Sequence, residues 1–77
     1  MTIKTLSFIH SLLIKEADKA EVKQRWLWDA YVAADEKYQS GETTKADRDA
    51  KYAEYEAARA EHSKARQALQ EFEEKEW

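Results

Sequence analysis

Seventy-seven residues make at most one domain, and a chain of this size buries only about 60% of the surface its unfolded form exposes, so regular helix packing or association must supply much of its stability. Cysteine is absent, which excludes disulfides, and neither His10 nor His62 has a carboxylate or second histidine three or four residues away to form a paired metal-ligand turn. The formal net charge is -3, with six basic and six acidic side chains in residues 1–40 against seven basic and ten acidic in residues 41–77, which argues against a broad nucleic-acid footprint.

There is no proline and one glycine, Gly41, and Ala, Glu, Lys, Arg and Leu fill much of the chain. Strands would have almost no turn chemistry to join them, whereas these residues favour helix. The longest apolar concentration, Ile3 to Ile14, contains Lys4 and His10 and is shorter than the roughly 20 residues a spanning helix needs. It lacks the small-residue cleavage pattern of a secretory signal. The expectation is an all-α, soluble, cytoplasmic protein with no cofactor and no membrane span.

The first helix is predicted over about residues 4–39. Leu6, Ile9 or His10, Leu13, Ala17, Ala20, Gln24, Leu27, Tyr31, Ala34 and Tyr38 recur at 3-4 spacing along it, a heptad seam. Residues 40–43 form the turn, where Gly41 suits the left-handed position that ends many helices. Thr44, three residues before Asp47, resembles a capping box with the acid one methylene short. The second helix follows over about residues 44–75.

So short a turn forces the helices antiparallel, as a coiled-coil-like hairpin occupying the single domain 1–77, with residue i roughly opposite residue 83 minus i. On the second helix Ala46, Ala50, Ala53, Ala57 and Ala60 are expected to face the large residues of the first, large against small. The row then shifts toward Ala65, Ala68 or Leu69 and Phe72, which resembles a stutter near residues 60–65. At the far end Leu6, Ile9 and Leu13 are expected to meet Leu69, Phe72 and Trp77.

Two features lie outside this seam. Phe8, Leu12, Val22, Trp26 and Ala33 form a second apolar line on helix 1, broken by Lys15 and Lys19, that a two-helix hairpin leaves in water unless something covers it. Trp28 can lie along the seam, but Trp26 cannot. Homodimerisation into a four-helix bundle covers the line, as does another protein. The N-terminal lysines admit a third occupant, an anionic membrane surface, but Glu16, Asp18 and Glu21 are mixed among them.

The second feature, on helix 2, is Arg48, Tyr52, Tyr55, Arg59, His62 and Arg66 at spacings of 4, 3, 4, 3 and 4. This cationic and aromatic ridge is expected on the side away from the alanines. It could grip an acidic protein groove, contact phosphates and stack on bases, or be a solvated face paired with Asp49 and Glu56.

Catalysis needs a concave, partly dry site, and neither a glycine-rich phosphate loop nor a serine, histidine and acid grouping can be nominated. In helix number and length the chain resembles the small plasmid-encoded RNA-binding hairpin dimers, and such likeness does not carry function. Short, acidic, cysteine-free helical chains are also common among phage and mobile-element proteins that inhibit a host protein. The sequence points first to a non-enzymatic protein-protein interaction module, an inhibitor, adaptor or assembly factor. The alternative is a dimeric RNA- or DNA-binding hairpin using the ridge.

Overall fold

A computed structural model describes residues 2–76 as two α-helices, α1 (Ile3–Gln39) and α2 (Lys45–Lys75). They pack against each other along their length in a rod of 58 × 14 × 12 Å. Each helix begins at a threonine whose hydroxyl accepts an otherwise orphaned backbone N–H, Thr5 for Thr2 and Asp47 for Thr44. The capping box is modified: the Asp47 carboxylate accepts from the Thr43 hydroxyl at 3.0 Å, so the threonine before the cap joins the motif.

At the other end of α1 the chain reverses through a Schellman motif. Gly41 N–H donates to the Tyr38 carbonyl at 3.1 Å and Glu42 N–H to the Lys37 carbonyl at 2.7 Å. Gly41 has φ +80°, a conformation that a Cβ would disfavour even though nothing lies within 4 Å to clash with it.

The expected register holds. Trp28 meets Tyr55, Tyr31 meets Tyr52, Asp35 meets Arg48 and His10 meets Glu73, all on the relation of residue i to 83 minus i. The α1 seam holds as well, since every residue from Leu6 to Tyr38 on the predicted line is buried or half-buried. Trp77 lies outside the described residues, so its expected contact with Leu6 has no structural counterpart here.

The face of α2 is corrected. Ala46, Ala50, Ala53, Ala57 and Ala60 are all exposed. The covered row is Arg48, Lys51, Tyr55, Ala58, His62, Ala65, Leu69 and Phe72, which keeps 3-4 spacing without interruption. The expected stutter is therefore absent; it arose from following alanines out of one face and into another.

A shallow seam between two helices leaves each residue one edge in water. Long amphipathic side chains use that geometry well, covering apolar surface with their stems while their tips stay wet. Alanine has no such reach. Among the described residues only Ala17, Ala34 and Ala58, at 8%, 5% and 2% exposure, are buried, and no large side chain is.

The shape has a cost. A radius of gyration of 17.3 Å compares with about 11.5 Å for a compact domain of this length. The accessible surface is 5984 Å², roughly 1,100 Å² more than the size scaling of compact monomers gives for 9.1 kDa.

Candidate interaction surface

The structure divides the helix 2 ridge. Arg48, Tyr55 and His62 belong to the hairpin seam, and Tyr52 lies at its edge. Arg59 and Arg66 stand exposed beside it. The ridge is therefore not a free surface on the far side of α2, because most of it packs against α1.

Its seam members hold the hairpin together. The Arg48 guanidinium lies 4.5 Å from the Tyr38 ring centre and reaches Asp35 at 3.4 Å and Asp49 at 3.3 Å. Burial works against its charge, but the two carboxylates outweigh this and hold its pKa above the ordinary arginine value. His62 Nδ1 is 2.8 Å from Gln24 Oε1 across the seam. At the other end His10 stacks on Phe72 at 5.9 Å and meets the Glu73 carboxylate at 2.9 Å.

Four aromatic rings close the middle of the seam. Trp28 lies 5.5 Å from Tyr31 and 5.0 Å from Tyr55, and Tyr52 lies 5.1 Å from Tyr31 and 6.1 Å from Tyr55, all tilted. Such pairs contribute beyond their buried area. A hydrogen bond to Glu56, the charge of that carboxylate and partial burial raise the pKa of the Tyr52 phenol.

This changes what the central ridge residues are expected to do. Tyr55→Ala should lower hairpin stability by about 1 to 3 kcal/mol, since it removes a half-buried ring with two aromatic neighbours. Arg59→Ala should leave stability within about 0.5 kcal/mol, because among the described residues its ion pair is a 3.8 Å contact to Glu56 with both side chains largely exposed. Urea unfolding followed by helicity measures both.

The second apolar line is where the sequence places it. Trp26 is 77% exposed, Phe8 65% and Val22 61%, and Leu12 and Ala33 are exposed too. Together with the polar members Lys15, Lys19 and Asp29 they form an unbroken line, Phe8, Leu12, Lys15, Lys19, Val22, Trp26, Asp29, Ala33, at spacings of 4, 3, 4, 3, 4, 3 and 4. All eight are exposed. It is a second line of heptad spacing, on the face of α1 nearly opposite the first, and α2 does not reach it.

Along the hairpin run open grooves, one of 350 Å³ lined by Gln24, Arg25, Trp28, Asp29 and Tyr55. Among the described residues no three His, Asp or Glu side chains gather as metal ligands, and no helix is long and apolar enough to cross a membrane. No family model matches the chain, and neither curated proteins nor solved structures give a match.

Proposed function

We propose that the chain is a non-enzymatic protein-protein interaction module whose docking face is the outer line of α1, and that it self-associates into a four-helix assembly. The observation that carries this reading is the exposure of Phe8, Val22 and Trp26 in one heptad line on a hairpin whose only internal seam lies on the other side. Exposed aromatic and aliphatic side chains gathered on one helix face are the usual anchors of protein interfaces, and here they recur on either side of Lys15 and Lys19. The surface in excess of a compact monomer, roughly 1,100 Å², exceeds the roughly 800 Å² per partner of a standard interface.

The nucleic-acid alternative draws less support. A phosphate-binding ridge needs free cations and free rings. Arg48 is engaged by two carboxylates, and Tyr52 and Tyr55 are packed among other rings, which leaves Arg59 and Arg66 as the exposed cations of the six.

The two readings separate in an affinity capture from native host extract, with and without nuclease. A protein bound through the α1 face, copies of this chain included, should be retained after nuclease by wild type and by an Arg59→Ala, Arg66→Ala variant. It should be lost with Leu12→Glu, Trp26→Glu. Nuclease-sensitive capture that depends on Arg59 and Arg66 would reverse the assignment.

A further inference from the structure

The reading of α1 as a docking face can be taken one step further, because the charges along that face specify its occupant. We infer that a second copy of this chain covers it, with the two α1 helices antiparallel and residue i of one copy facing roughly residue 41 minus i of the other. This inference rests on the docking-face reading above.

In that register Phe8 faces Ala33, Leu12 faces Asp29, Lys15 faces Trp26 and Lys19 faces Val22, each twice by symmetry. The lysines that break the apolar line thereby find a function. The stem of Lys15 lies along the Trp26 ring of the second copy, and its ammonium lies one turn from Asp29 there, so both an aromatic face and a carboxylate receive the charge. The flanks agree. On one side Asp18 faces Arg25, and on the other Glu16 faces Lys23. Arg25 and Lys23 are largely exposed, and among the described residues they also pair within the hairpin, Arg25 with Glu21 at 2.9 Å and Lys23 with Glu61 at 3.3 Å.

Other arrangements bring like charges together. Sliding one helix by a heptad toward its N-terminus sets Lys15 against Lys19 and puts Asp18 and Glu16 against their own copies. Sliding it the other way does the same to Arg25 and Lys23. A parallel pair in register puts Lys15, Lys19 and Asp29 each against itself. Like charges in register disfavour all three. The favoured register also overlaps the 37-residue helices along nearly their whole length.

The two seams of α1 lie on nearly opposite faces, so the four helices form a row with both α1 helices inside and an α2 on each edge. A square bundle would need the two seams about a quarter turn apart.

Because the chain has no cysteine, single cysteines report the register directly. Phe8→Cys and Ala33→Cys chains, mixed, refolded together and mildly oxidised, should give a disulfide heterodimer in high yield, with at least tenfold less of either homodimer. Glu16→Lys, Asp18→Lys should weaken dimerisation of the wild-type background about ten- to a hundredfold. Adding Lys23→Glu, Arg25→Glu to that variant should recover most of the loss.

Efficient self-crosslinking of Phe8→Cys would show a parallel pair and overturn the inference. A monomeric wild-type chain would overturn it too, and so would a dimer in which neither mixture nor single variant crosslinks. The docking-face reading fails separately. If Leu12→Glu, Trp26→Glu leaves both the mass and the capture of other proteins unchanged, the face binds nothing at all.

Discussion

Ala58→Leu is expected to lower the stability of the hairpin by about 1 to 3 kcal/mol, as overpacking of a filled site does, whereas Ala53→Leu should change it by less than about 0.5 kcal/mol. Both substitutions put the same side chain on the same helix, and leucine and alanine differ little in helix propensity. The difference lies in what each site faces. Ala58 is 2% exposed and is the most deeply buried residue of the core. Ala53 points to water. Reading α2 from its alanines alone leads to the opposite expectation, since Ala53 would then be the crowded site. Denaturant midpoints of the two variants therefore decide which face of α2 packs. A stable Ala58→Leu beside a destabilised Ala53→Leu would restore the alanine row.

The second large effect is on assembly. Leu12→Glu, Trp26→Glu should convert a dimer of about twice 9.1 kDa into a monomer. Each dimer then loses two leucines and two tryptophans from its contact and gains four carboxylates, while the hairpin seam keeps all its residues. Helicity should fall little at low temperature. The unfolding midpoint should drop and lose its dependence on protein concentration, because association no longer contributes to the folded state.

Much of the fold was legible in the sequence, and the reason is local. Gly41 and Thr44 mark the ends of the helices through a left-handed turn and a cap, and so short a connection fixes the register without reference to side-chain packing. The α1 seam was legible because Leu6, Leu13, Leu27 and Tyr31 are large and regularly spaced. The outer line of α1 was legible for the same reason.

The α2 face was not. Its alanines and its Arg, Tyr and His residues run as two rows of the same 3-4 period, so periodicity alone cannot choose the phase. Alanine reads as core by composition, but Arg48, Tyr55 and His62 cover more of α1 because they are long and because a shallow seam lets their polar ends reach water or a carboxylate. The signal that could have settled it was pairing at the known register. Asp35 opposite Arg48, Trp28 opposite Tyr55 and Tyr31 opposite Tyr52 are favourable across-seam pairs, and the alanine row offers none. The same error of phase made the ridge seem a free surface.

Sedimentation equilibrium of the wild-type chain, from high micromolar to submicromolar concentration, bears most directly on the claim that a second copy covers the outer face of α1. A mass of about twice 9.1 kDa, dissociating reversibly on dilution as the helical signal becomes easier to melt, is the result expected. A mass of 9.1 kDa throughout, with a melting midpoint independent of concentration, would contradict it.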